Sequence, residues 1–173
     1  MNRVVITGIG IISCLGNNKN EVLASLLDSK SGLSLNPEYK ENGMRCHISG
    51  QVNPNLDVID RKMLRFMSET SAYAFLSTEA ALADSGLSID DINNDTTGVI
   101  VGSGTGSSRE LKNVVDTARE KGIKRVGPYA VTRTMGNTTS AAISTFFQTK
   151  GVSFSIASAC STSLHCISYA FDL

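Results

Sequence analysis

An α/β domain built on a parallel sheet flanked by helices is the fold class this sequence predicts, and three observations predict it. Short runs rich in β-branched residues occur at residues 3–7 and 97–102, the kind of strand that is buried inside a parallel sheet, and residues 152–156 alternate as a strand with one face buried. Stretches long enough for crossover helices separate them, giving the order β-α-…-α-β-…-α-β-α. The later two strands each run into glycine or other small residues and then into an amphipathic pattern.

The first strand, residues 3–7, is almost continuously apolar and is expected to be buried. Gly8-Ile9-Gly10-Ile11-Ile12-Ser13 follows it and imitates a dinucleotide fingerprint. The third glycine position holds Ser13, no helix opens clearly at Gly10, and Asp28 closes a helical pattern rather than a second strand. A close-packed structural turn is the expectation there. The same region imitates a short signal peptide, yet Gly8, Gly10 and Gly16 interrupt it and an A-x-A-like cleavage site is missing.

Asn20 is placed to cap a helix over 21–28, with Val22, Leu23, Leu26 and Leu27 on its apolar side. Residues 29–56 are polar and punctuated by Gly32, Pro37, Gly43, Gly50 and Pro54, which predicts a long surface excursion. Asp60 is a good N-cap for the longest helical pattern, 61 to about 84, where Met63, Met67, Thr70 and Ala74 share one face. Met and Phe at that spacing are core material rather than a ligand cage. Ser88 and Asp91 have the spacing of a capping box.

Gly102-Ser103-Gly104-Thr105-Gly106-Ser107 follows the second strand. A glycine-rich turn can cradle phosphate, but no Gly-Lys-Ser/Thr end follows, so a tight crossover that lets backbones meet is expected instead. Helices are predicted over 107–120 and 137–147, with a basic cluster of Lys121, Lys124 and Arg125 between them.

The third strand carries the chemistry. Val152, Phe154 and Ile156 alternate, Ala157 to Ala159 form a small-residue turn, and Leu164, Cys166, Ile167, Ala170 and Phe171 recur at helical spacing. This pattern exposes Cys160 where a strand turns into a helix. The free N–H groups and dipole of a helix start favour a thiolate, the nucleophilic form of cysteine. A buried structural cysteine is the other reading of the same spacing.

Composition narrows the alternatives. The 173 residues suit one domain, and 16 basic against 16 acidic side chains give no bulk attraction to nucleic acid or an anionic membrane. No apolar run reaches the roughly 18 residues a membrane helix needs, so no membrane insertion is expected. Cys14, Cys46, Cys160 and Cys166 form no C-x-x-C pair or zinc spacing, and a chain of this size needs no disulfides. No metal site is expected, Cys46-His47 included, and a reducing cytoplasm is the expected compartment.

Ser158-Ala159-Cys160-Ser161-Thr162-Ser163 resembles the nucleophile signature of the β-ketoacyl-acyl-carrier-protein synthases of the thiolase superfamily. Separated stretches extend the resemblance in order: Val5-Ile6-Thr7-Gly8-Ile9-Gly10, Asp60-Arg61-Lys62-Met63-Leu64-Arg65-Phe66-Met67, Gly102-Ser103-Gly104-Thr105-Gly106 and Gly127-Pro128-Tyr129. Gly43-Met44-Arg45 and Leu164-His165-Cys166-Ile167 resemble the synthase I branch.

The resemblance implies a thiolase-like fold of which residues 1–173 are an incomplete N-terminal half, with the C-terminal half and its catalytic histidines, lysine and glycine-rich loop absent. It implies an acyltransferase of fatty acid biosynthesis. Cys160 would hold an acyl group that condenses with malonyl carrier protein by decarboxylative Claisen reaction, with no cofactor beyond the carrier's phosphopantetheine. The Cys160 N–H would be half of an oxyanion hole. His165, five positions on, lies about 140° round a helix from Cys160 and is not placed to serve as its base.

Lys62, Arg65, Lys121 and Lys124 match the family's basic docking side chains for acyl carrier protein. A homodimer is implied through the nucleophile strand, with residues 135–138 bordering the acyl pocket near that interface. An uncovered sheet edge and apolar helix face are expected, and so is lack of condensing activity in the 173 residues alone. A non-catalytic remnant or module that binds acyl carrier protein without turnover is the alternative of a different class.

Overall fold

The computed structural model describes residues 3–173. In chain order its elements are α1 (Lys19–Leu27), β1 (Leu33–Leu35), α2 (Pro37–Glu41), β2 (Ile48–Gly50), α3 (Arg61–Leu64), α4 (Glu69–Ser85), α5 (Ile89–Ile92), β3 (Val99–Gly102), α6 (Ser108–Lys121), α7 (Ala130–Thr134), α8 (Thr138–Phe147), β4 (Ser153–Ile156) and α9 (Thr162–Asp172). Short 3₁₀ turns occupy Ile123–Arg125 and Ala159–Ser161. They form two compact units: residues 6–55 with 76–86, and residues 3–5 with 56–75 and 87–173.

In the first of these, α1 begins two residues earlier than the apolar pattern suggested. Asn18, not Asn20, is the cap: its backbone is extended and its side chain accepts the Glu21 N–H at 3.0 Å. Val22 and Ser25 are buried, and Ser25 donates to the Leu15 carbonyl at 2.8 Å. The polar excursion is more ordered than its composition implied. β1 and β2 pair antiparallel with Leu33 opposite Gly50 and Leu35 opposite Ile48. Strands of three residues are too short for a period of two to stand out.

The expected buried strand at 3–7 is a correction. Residues 3–12 have no regular structure, and Val4, Val5 and Ile6 are exposed. β-branched residues prefer extended backbone, but a strand exists only where a neighbour takes its hydrogen bonds. Gly8 and Gly10 lie hard against the backbone of α4, where a Cβ would overlap the carbonyl oxygens of Ala81 and Ser77. That is close packing, as the turn reading expected.

The larger unit holds the parallel pair. β3 and β4 run parallel with Val99 opposite Ser153 and Gly102 opposite Ile156. Parallel neighbours require a long crossover, supplied here by α6, α7 and α8. α8 and α9 both pack on these strands. Val99, Ala142, Ile143, Phe147, Phe75 and Ala72 are buried between them and α4, and Phe75 stacks on Phe147 with ring centroids 5.3 Å apart. Hydroxyls on the inner face of α8 are paired rather than stranded: Thr139 bonds Ser71 at 3.2 Å and Ser140 bonds Ser155 at 2.9 Å.

The single helix expected over 61–84 is two helices, broken at residues 65–68. Asp60 caps α3 as expected, through Lys62 N–H at 2.7 Å. Ser68 then starts α4: its hydroxyl accepts the Ser71 N–H at 3.3 Å and its carbonyl the Ala72 N–H at 2.9 Å. A serine at that point competes for backbone groups and favours a cap over a continued helix. The Ser88–Asp91 capping box forms with both of its bonds.

Asp84, at the end of α4, accepts the Ile9 N–H at 3.0 Å and the Lys19 ammonium. The Lys19 bond first, and the Ile9 bond second, hold its carboxyl below the usual aspartate range. A carboxyl depressed in the folded state adds stability above its unfolded pKa, and that stability is lost as pH falls through the folded value. Asp84→Asn is therefore expected to lower the urea midpoint at pH 7, and the gap to the parent chain is expected to close in acid. Urea melts across that pH range check it.

Candidate active site

The site is built where β4 leaves the sheet. The chain passes through Ala157 and Ser158 into the 3₁₀ turn Ala159–Ser161, and α9 begins at Thr162. Cys160 is thus one turn ahead of the α-helix rather than its first residue, and its side chain is exposed as the exposed-turn reading expects. Ser161 N–H donates to the Ser158 carbonyl at 3.0 Å, which closes the turn. The Cys160 N–H has no protein acceptor among the described residues. It is one of the orphan donors every helix start leaves free.

Holding that turn costs energy. Ala159 has φ of 45°, a left-handed conformation that costs a residue with a Cβ about 1–3 kcal/mol. Two features over-determine it. The Thr162 hydroxyl accepts the Ser158 N–H at 2.9 Å and donates to the Ala159 carbonyl at 2.8 Å, and Thr162 is 4% exposed. The glycine-rich loop after β3 then seats against the same backbone. A Cβ on Gly102 would overlap the Ile156 carbonyl oxygen, and one on Gly104 would lie 3.0 Å from the Ala159 oxygen. The crossover reading of this loop is what the packing displays.

The other candidate residues fall as follows. Lys62 lies on α3, Arg65 just beyond it, Lys121 at the end of α6 and Lys124 in the 3₁₀ turn that follows, all exposed. None of the four makes an ion pair among the described residues. Phe66 meets Tyr129 edge-on with ring centroids 4.8 Å apart. That contact brings the segment bearing Lys62 and Arg65 against the one that follows Lys124. His165 is exposed on α9. Cys166 is half-buried, and burial pushes its thiol up from the ordinary cysteine range. No group of His, Cys, Asp and Glu suited to a metal ion occurs among the described residues. Among them, no helix is long and apolar enough to cross a membrane.

All 173 residues match the β-ketoacyl synthase N-terminal domain. The chain belongs to the β-ketoacyl synthase family. The Haemophilus influenzae 3-oxoacyl-(acyl-carrier-protein) synthase 1 is 49% identical over 176 aligned positions, covering 100% of this chain and 43% of the relative. The Escherichia coli synthase of the same name is 50% identical over 175 positions, covering 99% of this chain and 43% of its own. A crystal structure of a β-ketoacyl synthase from Burkholderia phymatum superposes at a TM-score of 0.79 with 27% identity, over 99% of this chain and 43% of that one. The chain spans less than half the length of the relatives it matches, and the fold is thiolase-like with a parallel sheet flanked by helices.

Within this β-ketoacyl synthase chain, Thr162 is the residue that pattern reading missed. Its signal was a hydroxyl at the first position of the helix, where threonine commonly bonds local backbone. Thr162→Val keeps the shape and strands the Ser158 N–H and Ala159 carbonyl. It is expected to cost about 1–3 kcal/mol in urea melts, whereas Thr162→Ser, which keeps the hydroxyl, is expected to cost less.

Proposed function

We propose that this chain is the N-terminal part of a fatty-acid condensing enzyme of the synthase 1 kind, and that Cys160 is its nucleophile. The observation that carries this is an exposed cysteine on a clasped, strained strand-to-helix turn, in a chain matching the family along its whole length. The Cys160 thiolate attacks the carbonyl of an acyl thioester on a carrier protein. A carbon–sulfur bond forms, the carrier's pantetheine thiolate leaves, and the acyl group rests on Cys160. The free Cys160 N–H is an oxyanion donor for the tetrahedral intermediate. A malonyl thioester then loses CO₂, its enolate carbon attacks the acyl carbonyl, and the Cys160 thiolate departs.

This chemistry needs no cofactor in the chain beyond the phosphopantetheine that carries the substrates. The second step also needs groups that stabilise the enolate. On α9 the only histidine is His165, and it is exposed, while Cys160 lies outside that helix in the 3₁₀ turn ahead of it. We infer that the 173 residues accept an acyl group without forming ketoacyl product. On incubation with acyl carrier protein, peptide mass spectrometry is expected to find the acyl group on Cys160 and none on Cys166, whose thiol burial makes harder to ionise. Cys160→Ala is expected to abolish the adduct. Carrier that binds without acylating Cys160 would instead mark a non-catalytic binding module.

Docking of the carrier is assigned to Lys62, Arg65, Lys121 and Lys124. Their exposure, and the lack of ion pairs to them among the described residues, leave the ammonium and guanidinium groups available to acidic carrier helices despite the balanced overall charge. The cytoplasm is the proposed compartment. A homodimer through β4 is part of the same proposal: β4 pairs with β3 alone among the described residues, so its other edge is open to a second copy. Lys62→Glu with Lys124→Glu is expected to weaken carrier binding about tenfold at low salt, with the difference shrinking as salt rises. Unchanged affinity in calorimetry would remove the docking assignment and leave Cys160 untouched.

A further inference from the structure

A cavity of about 240 Å³ opens between α6, the 3₁₀ turn Ile123–Arg125 and α7 in the larger unit, and none of its lining residues belongs to the Cys160 turn. Glu110 and Arg133 line it as a pair 2.5 Å apart, with Glu110 only 7% exposed. A carboxylate that far from water is costly unless it is paired, and the pairing in turn fixes the Arg133 guanidinium against α6. The bonding of that guanidinium is incomplete. Its Nε–H is buried with no acceptor among the described residues, a state native structures seldom leave unanswered. Arg125 lines the same cavity, is exposed, and makes no ion pair among the described residues. Asn113 and Thr117 add an amide and a hydroxyl that no other group among the described residues engages.

That make-up selects a ligand. Arginine has N–H donors and no acceptor, and the only carboxylate on the lining is already committed to Arg133. The ligand must therefore bring acceptors and negative charge. An alkyl chain would strip water from Arg125, Asn113 and Thr117 and return nothing, and a cation would meet the unpaired Arg125. A phosphate monoester carries about two negative charges at pH 7 and three acceptor oxygens, and the guanidinium fork matches it. Drug-sized ligands occupy roughly 300–1,000 Å³, so this cavity suits a smaller one. We propose that it binds a small phosphate monoester, the phosphate between Arg125 and Arg133 and the organic part beside Asn113 and Thr117. Glu110 orients Arg133 and does not touch the ligand. The site rests neither on the role of Cys160 nor on the docking assignment.

The test is a ¹⁵N NMR titration of the 173-residue chain with glycerol 3-phosphate, against glycerol and inorganic phosphate at matched ionic strength. Saturable shifts are expected at the Arg133 Nε–H and at the Thr117 and Val126 backbone amides. Glycerol is expected to leave them in place. Inorganic phosphate is expected to bind at least about threefold more weakly, because Asn113 and Thr117 then hold nothing. Arg125→Gln, at an exposed position, is expected to weaken glycerol 3-phosphate about tenfold, the size of one charge-assisted hydrogen bond. Asn113→Trp, also exposed, is expected to fill the opening and remove the saturable shifts, and unchanged amide positions elsewhere verify that both variants fold. Shifts that follow ionic strength without saturating, or saturable binding that survives both substitutions, would overturn the site. Inorganic phosphate bound as tightly as glycerol 3-phosphate would overturn the assignment to an ester.

Discussion

Where the glycine-rich loop meets the turn bearing Cys160, two backbones approach more closely than any side chain would allow. The rest of the site depends on that approach. β3 and β4 are in register so that Gly102 lies opposite Ile156, and the loop leaving β3 must pass beside the turn leaving β4. A side chain at Gly102 or Gly104 would push the turn outward. With glycine there, the loop presses on Ala159 while the Thr162 hydroxyl ties Ser158 and Ala159 to the first turn of α9. A left-handed alanine persists because its neighbours leave it no other place. The strain is local, and its product is a cysteine on an exposed crest with a free N–H beside it.

The strands and helices nearest that crest were legible in the sequence because composition and period agree there. Val99-Ile100-Val101 and Phe154 to Ile156 form the parallel pair, and Ser107 caps α6 through the Glu110 N–H. The glycine-rich loop was legible as a crossover because it lacks the lysine and hydroxyl a phosphate loop requires. What failed to show were features set by tertiary partners. The run from Val4 to Thr7 has strand composition yet pairs with nothing among the described residues. The break at residues 65–68 hinges on one serine hydroxyl, which periodicity cannot see. The Thr162 clasp depends on a turn geometry that exists only after the fold is made.

Charge behaves in the same local way. The chain is neutral overall, and the ion pairs among its described residues are mostly on the surface, where they contribute little. Arg133 and Glu110 are an exception, with 2.5 Å between them and the carboxylate nearly out of solvent. That pair joins α6 to α7 and so fixes the segment between Lys121 and Tyr129. The exposed lysines owe their position to buried contacts nearby. The proposed docking of an acidic carrier on a neutral chain rests on this arrangement, since steering depends on the local field rather than on the net charge.

The apolar surface argues in the opposite direction from the site. Leu164, Ile167 and Phe171 recur at helical spacing along α9, and Leu164 is 70% exposed while Ile167 is 60% exposed. The structure thus carries an apolar stripe on α9 and, separately, a strand, β4, that pairs on one side only among the described residues. Each is a feature that surfaces meeting other surfaces carry. The opposite end of α9 is different: Thr162 is buried, and the turn before it is held by hydrogen bonds that need no partner. The geometry around Cys160 is therefore set within the unit itself, while the stripe and the strand edge await contacts from outside it. A partner docking on α9 would add burial and rigidity without having to build the nucleophile turn.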